Sequence, residues 1–194
     1  MRIPVDLAKS CRLLNHGPTV LVTSAHGDKR NVMAASWSMA LDFNPPKVAV
    51  VIEESSFTRE LVDASGVFAL NIPVRRQAAL TLSVGSVSGR DLSKQDKFAA
   101  FDLKTFPGAQ TAVPLIEGCV GWLECRVIQE PHIQKTYDLF LGEVVAAWAD
   151  DRAFKNDRWL QPPEDLQTLH YIAGGNFFLA NEMLAVEAIK PKIG

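Results

Sequence analysis

Residues 31–52, "NVMAASWSMALDFNPPKVAVVI", hold small residues, one tryptophan, a double proline and then an unbroken apolar run. Strands favour β-branched and aromatic side chains, which fill a pleated surface. Ala34, Ala35 and Ser36 leave that surface bare. Such a segment is either a weak strand or a surface kept slim, so that a flat ligand and its phosphate can reach the backbone. The Asn44–Pro45–Pro46 break must stop the strand, because proline has no N–H for a ladder. The run that follows, "KVAVVIE", is apolar without alternation, which predicts a strand covered on both faces.

Upstream, "TVLVTSA" (residues 19–25) reads as a strand and "HGDKR" as a turn around Gly27 and Asp28, so residues 31–43 are expected to return as the second arm of a hairpin. Downstream, "SSFTRELVDASG" is a helix: Ser56 is the N-cap, Phe57, Leu61 and Val62 share a face, and Gly66 stops it. "VFALNIP" is a strand ending at Pro73. "VRRQAALTLSVGS", with Ala78 and Leu82 four apart, and "KQDKFAAF" read as short helices. In "CVGWLECRVIQ", Gly121, Leu123, Cys125 and Val127 face one way and Glu124 and Arg126 the other, the pattern of a half-buried antiparallel strand. "TYDLFLGEVVAAWAD" is another strand, with a bulge expected at Gly142, and the C-terminal third is loop-rich with one weaker strand pattern. Many strands with few short helices make a barrel or a sandwich, and closure into a barrel best removes exposed edges.

The 194 residues fit one domain, taken as 1–194, and 47% apolar content is that of a globular chain. A net charge of −2 with interspersed signs gives no footprint for nucleic acid and no polybasic segment for a membrane. No apolar run is long enough to span a bilayer, and the first residues lack the pattern of a signal peptide, so a cytoplasmic protein is expected. Cys11, Cys119 and Cys125 are too few and too uneven for a disulfide framework. They read as buried small hydrophobes, with Cys119 and Cys125 on one face of a strand.

Chemistry of the protein's own is hard to find. The chain has no GxGxxG, no GxxxxGK[ST] and no GxSxG, and His16, His26, His132 and His170 lack a metal-ligand spacing. No catalytic residue and no metal are assigned, so any catalysis resides in something bound. Three stretches suit an anion or a cofactor. One is "AASW", residues 34–37. The second is "ESSFTRE", where Ser55, Ser56 and Thr58 crowd a helix start with Arg59 just inside it. The third is the glycine turn "SVSGRD", with Ser88 and Arg90. Free N–H groups at a helix start attract an anion, and hydroxyls with a guanidinium would complete a phosphate cradle. Singly, each also reads as an ordinary cap, turn or solvated charge.

In series, "PTVLVTSA…NVMAASWSMALDFNPPKVAVVI…SSFTRELVDASGVFALNIP" resembles the flavin reductase-like proteins with an FMN-binding split barrel, the group that includes flavoredoxin. The similarity continues through "SGRD…DKF", "LFLGEVVAA" and "LHYIAGG". The resemblance implies a mainly β fold, a six-stranded antiparallel Greek-key split barrel with a few short peripheral helices, and a homodimer with FMN near the subunit interface. It places Asn31, Ala34, Ala35, Ser36 and Trp37 against the flavin. It places Ser56, Thr58 and Arg59, beside Ser55, at the phosphate, and adds Asn71, Ser88, Gly89, Arg90 and Lys97. It implies an oxidoreductase that passes electrons from NAD(P)H through FMN to a free flavin or a partner protein. A non-catalytic electron carrier is the alternative, and a barrel for another ligand such as haem a third. The sequence departs from the family where many members carry Asp-His before "LFIGEV": Thr136 and Tyr137 stand there, followed by Asp138. It also inserts "LSKQ" before "DKF".

Overall fold

The computed structural model describes residues 2–13, 17–92 and 95–186. His16, the side chain of Cys11 and two residues of the "LSKQ" insertion lie outside the described residues. The strands and α-helices run in the order β1 (Arg2–Pro4), β2 (Val20–His26), β3 (Lys29–Ala35), β4 (Ser38–Phe43), β5 (Pro46–Val51), α1 (Phe57–Ser65), β6 (Val67–Ile72), α2 (Ala78–Ser86) and α3 (Lys97–Ala100). They continue with β7 (Thr105–Pro107), β8 (Pro114–Ile116), β9 (Gly121–Ile128), α4 (Pro131–Tyr137), β10 (Leu139–Asp150), β11 (Phe154–Lys155), β12 (Arg158–Trp159), β13 (Leu169–Ala173) and β14 (Asn176–Leu179).

The expected hairpin forms between β2 and β3, with Gly27 at φ +60° in its turn. The predicted return strand of residues 31–43 is instead two strands, split at Ser36–Trp37. That split shapes the fold. One antiparallel sheet has the order β3-β2-β6-β9-β10-β5-β4, with β1 added on β10. β3 and β4 are therefore its opposite edges, yet Ser36 and Trp37 alone join them. Three peptide steps reach at most about 11 Å, so the sheet has to roll until its edges meet. Trp37 O accepts from Val51 N at 3.0 Å at that point. The result is the mainly β, antiparallel split barrel expected, with eight strands in the sheet rather than six.

Alternation along the strands builds two cores. Val20, Val22, Phe68, Leu70, Leu123 and Cys125 point into the barrel with Val48, Val50 and Phe140. Leu21, Ala69 and Trp122 point outward, into a second cluster with Val32, Val84, Phe98, Leu115 and Ile116. The segment from α2 to β8 thus covers the outside of the sheet. This corrects the expectation that β9 is half-buried: Glu124, on its outer face, is wholly buried. It also separates the two described cysteines, since Cys119 belongs to the outer cluster and Cys125 to the inner one. Both are free thiols; burial pushes the Cys119 pKa up to about 12 and moves Cys125 the same way, so neither is a ready nucleophile.

The bulge in β10 lies between Val144 and Ala146, not at Gly142. Gly142 has a different role: a Cβ there would sit 2.6 Å from Phe68 Cζ, so the glycine lets that ring fill the barrel. Helix α1 forms as its caps predict, with Ser56 Oγ accepting from Arg59 N at 3.1 Å and Gly66 closing the helix at φ +69°. In α2 the buried positions are Thr81 and Val84, while Leu82 is exposed.

Candidate functional site

The meeting of the sheet edges leaves a cleft rather than a ladder. A cavity of about 680 Å³ opens there, within the usual range of small-molecule sites. Its floor is the end of β3, with Asn31, Met33, Ala34 and Ala35, and the crossover residues Ser36 and Trp37. Ser55, Ser56, Phe57 and Thr58 at the start of α1 form one side. The C-terminal end of α2 and the turn after it, from Val84 through Gly89, form the other, with Lys97 of α3 behind. Tyr171, Ile172 and Ala173 of the β13–β14 hairpin overhang it.

The walls are thin by construction. A Cβ on Gly85 would lie 3.1 Å from Ala34 Cβ, and one on Gly89 would lie 2.5 Å from Asn31 Oδ1 and 2.8 Å from Phe57 Cδ1. Glycine and alanine let β3, α2 and the 88–91 turn approach while the cavity between them stays open. At the α1 end, main-chain N–H groups of a helix start stand beside the hydroxyls of Ser55 and Ser56, a setting that favours an anion.

Two polar side chains at the back of the cavity are nearly inaccessible. Asn31, 2% exposed, donates from Nδ2 to Thr58 Oγ1 at 2.9 Å. Its Oδ1 is buried without a hydrogen-bond partner. Lys97, 3% exposed, donates from Nζ to the carbonyls of Val32 and Val84 at 2.9 and 2.6 Å. Burial pushes its pKa down to about 8.

Three residues expected at the site lie elsewhere. Arg59 turns away from the cavity and ties α1 to α4 and β10. Its Nε donates to Asp63 at 2.9 Å, Nη1 to Ile52 O and Asp138 Oδ1, and Nη2 to Gln134 O, each at 3.1 Å. The guanidinium also stacks 4.5 Å from the Phe140 ring centroid. Its donors are engaged, so this geometry does not support a phosphate contact. Asn71 is a fully buried brace, donating to Leu21 O and Thr23 Oγ1 and accepting from Ile116 N. Arg90 grips Glu60 and the carbonyl of Ser55 from outside, steadying the cavity wall without lining it. Tyr137, at the family's histidine position, is largely exposed against His132 and does not line the cavity. The hairpin residues Tyr171–Ile172–Ala173 were not assigned to the site, although they lie in the "LHYIAGG" stretch of the family resemblance, where the Gly174–Gly175 pair turns the chain back.

Replacing Arg59 by alanine strands Asp138 and two carbonyls. Breaking a buried, hydrogen-bonded charge pair costs about 3–5 kcal/mol, and the 11% side-chain exposure of Arg59 against 32% for Asp138 places this pair at the lower end or below. The expected result is a large drop in melting temperature, with any flavin mononucleotide and riboflavin affinities falling together. A loss confined to the phosphorylated ligand would return Arg59 to the phosphate.

The residues present fit a flavin mononucleotide: a slim floor for a planar ring, a hydroxyl-lined helix start for a phosphate, and a buried cation and acceptor between. Comparison with known proteins agrees. The uncharacterized protein YddH of Escherichia coli (strain K12) is 44% identical over 178 residues, 90% of this chain and 93% of that protein. The crystal structure of an FMN-binding domain of a flavin reductases-like enzyme from Shewanella baltica OS155 matches with a TM-score of 0.93 and 43% identity, over 96% of this chain and 98% of that one. The FMN reductase (NADH) RutF of Ancylobacter novellus is 26% identical over 127 residues, 66% of this chain and 65% of that protein. The flavin reductase like domain matches residues 13–176, and the chain belongs to that family.

Proposed function

We propose that this chain is an FMN-binding flavoprotein oxidoreductase that takes a hydride from NADH or NADPH and passes electrons to a free flavin or a partner protein. The carrying observation is the cavity at the split of the barrel, with a glycine- and alanine-lined floor and a helix start at one end. Bound FMN would supply the redox chemistry, accepting a hydride at ring nitrogen N5 and handing the electrons on.

The chain's own residues hold and shield. Ala34, Ala35, Ser36 and Trp37 bed the ring. Ser55, Ser56 and Thr58, with the free N–H groups of α1, hold the phosphate end. Ser88 and Gly89 close one side and Lys97 sets a positive charge at the back. Tyr171 and Ile172 limit access of water from above. Glu53 is the sole carboxylate among the described lining residues, so a hydride reaction that needs no protein acid suits the site.

The proposal includes a cytoplasmic homodimer. Trp37, just before edge strand β4, and Met39, Leu41 and Phe43 within it are large apolar side chains left exposed, with Trp37 73% and Phe43 71% exposed. An unpaired edge carrying large apolar side chains is the surface a second copy would cover. No helix among the described residues is long and apolar enough to cross a membrane.

One preparation tests all three parts. The purified protein is expected to be yellow, to bind FMN near one per chain by equilibrium dialysis, to sediment as a dimer, and to bleach rapidly when NADH or NADPH is added without oxygen. Failure to bind FMN removes the proposal. Binding without bleaching by either nucleotide removes the enzyme and leaves an electron carrier.

A further inference from the structure

A regular strand sends successive side chains to opposite faces. Tyr171, Ile172 and Ala173 are consecutive, yet all three line the cavity. The ladder shows how. Tyr171 pairs with Phe177 and Ala173 with Asn176, which leaves Ile172 with no residue opposite it, a bulge in β13. Ala173 then stands at φ +117°, where alanine is strained, and Gly174 and Gly175 follow at +59° and +78°. Bulges and strained residues gather where a strand has been re-aimed at a site.

The two ends of this hairpin are held very differently. At its base Leu166, Gln167, Thr168 and Leu169 are buried. Gln167 O accepts from Arg75 N at 2.8 Å, Leu169 O accepts from Thr19 N at 2.7 Å, and Thr168 bridges Val74. One step further, Tyr171 N donates to Thr19 Oγ1 at 2.8 Å. From Ile172 to Phe178, every hydrogen bond among the described residues is internal to the hairpin, including those from Asn176 Nδ2 to the carbonyls of Ala173 and Gly174, both at 3.2 Å. Residues 171–176 are all exposed. The tip meets α2 at Leu82, where a Cβ on Gly175 would lie 3.3 Å from Cδ2.

We propose that β13–β14 is a lid: it swings on its buried base at Thr168–Leu169, is latched shut by the bond from Tyr171 N to Thr19 Oγ1 and by contact of its tip with Leu82, and must open for a flavin-sized ligand to enter or leave the cavity. This rests on the functional reading above for the ligand, and adds the movement that controls access. Opening on that hinge gives up one hydrogen bond to the barrel and one apolar contact, whereas freeing the base would uncover Leu166 and Leu169. A two-stranded hairpin has little stability of its own, so this is the segment expected to open at the lowest free energy.

A lid has a kinetic signature that a fixed wall lacks. Loosening the latch raises the open fraction of the free and of the loaded protein alike. Association and dissociation then quicken by the same factor and affinity stays level. Losing a ligand contact quickens dissociation alone.

The test uses Thr19→Val and Leu82→Ala, neither of which lines the cavity. The first removes the acceptor, so that the N–H of Tyr171 finds water only with the lid open. The second removes the apolar rest under the tip. Stopped-flow fluorescence quenching follows FMN and riboflavin, and hydrogen exchange is read on the flavin-free protein. In each variant both rates are expected to rise about three- to tenfold, equally for the two ligands, with dissociation constants changed by less than about twofold. In the natural chain the amides of residues 172–178 are expected to exchange well ahead of those in β9, and further ahead in Thr19→Val. Faster dissociation with unchanged association would make the hairpin a fixed wall and overturn the proposal. Unchanged rates in both variants overturn it too, as do hairpin amides that exchange only as slowly as those of β9 in the natural chain. A natural chain that binds no flavin would refute the functional reading instead, and the exchange measurement, which contains no flavin, would still decide whether the hairpin opens.

Discussion

Glu124→Ala is expected to leave a chain that melts far below the natural one or fails to accumulate folded. Glu124 is wholly buried on the outer face of β9. Its two oxygens accept from Ala109 N at 2.8 Å, Gln110 N at 2.9 Å, Thr111 N and Thr111 Oγ1 at 3.0 Å, and Trp148 Nε1 at 3.3 Å. Even the turn is shaped around it, for a Cβ on Gly108 would sit 2.6 Å from Oε2. Alanine leaves three main-chain donors of a part-buried turn without their acceptor. Each unsatisfied buried group costs about 1–3 kcal/mol, so a loss of about 3–5 kcal/mol is expected against a total stability of about 5–15 kcal/mol. Glutamine keeps the shape but brings an N–H₂ face to donors, and it is expected to recover only part of the loss. Burial by itself would raise the Glu124 pKa, but the N–H groups of Gln110, Ala109 and Thr111 outweigh it and hold the carboxyl below the ordinary range. Its contribution is therefore complete above about pH 4.3 and is lost as pH falls through the lower folded value. Chemical denaturation of the natural chain and both variants between pH 3 and 7 checks this; equal stability of the three at pH 7 would refute it.

Glu124 also shows where sequence stops being informative. Alternation along β9 places Glu124 and Arg126 on the face opposite Leu123 and Cys125, and that is correct. Alternation cannot tell that residues 109–111 fold over that face and present three N–H groups to the carboxylate. The same limit explains Arg59. In sequence it is a cation in the first turn of a helix beside serines, the setting of a phosphate ligand. Two of its actual partners, Gln134 and Asp138, lie 75 and 79 residues further along. Features set by neighbours in the chain were legible: the Gly27 turn, the Ser56 and Gly66 caps, the stop at the double proline, and the two-sided burial of β5. The split at Ser36–Trp37 was not, because no glycine or proline marks it. It arises from closure, where the chain must pass from one edge of a rolled sheet to the other. Eleven of the fourteen expected site residues do line one cavity. The three that do not, Arg59, Asn71 and Arg90, are polar residues whose hydrogen bonds brace the walls.

Ala34→Phe is expected to weaken flavin binding by about tenfold to hundredfold while leaving the barrel folded. Ala34 is half-buried on β3, opposite Leu21 of β2, and lies where α2 passes at Gly85. A Cβ on Gly85 would already be 3.1 Å from that of Ala34, so a longer side chain at position 34 finds no room toward the helix and has to turn into the cavity. Overpacking a fitted site costs about 1–3 kcal/mol, and 1.4 kcal/mol is tenfold in affinity, so a loss of about tenfold to hundredfold is expected. Because the obstruction is steric and lies on the floor, riboflavin should suffer as much as FMN, and changing pH should not restore either. Ala34→Ser adds one oxygen and is expected to bind nearly as the natural chain does. Circular dichroism and melting keep a folding defect distinct from a blocked site. A folded Ala34→Phe protein that still binds FMN with natural affinity would place the ring away from β3, and with it would go the physical reason for a strand that carries alanine and serine where bulk would pack better.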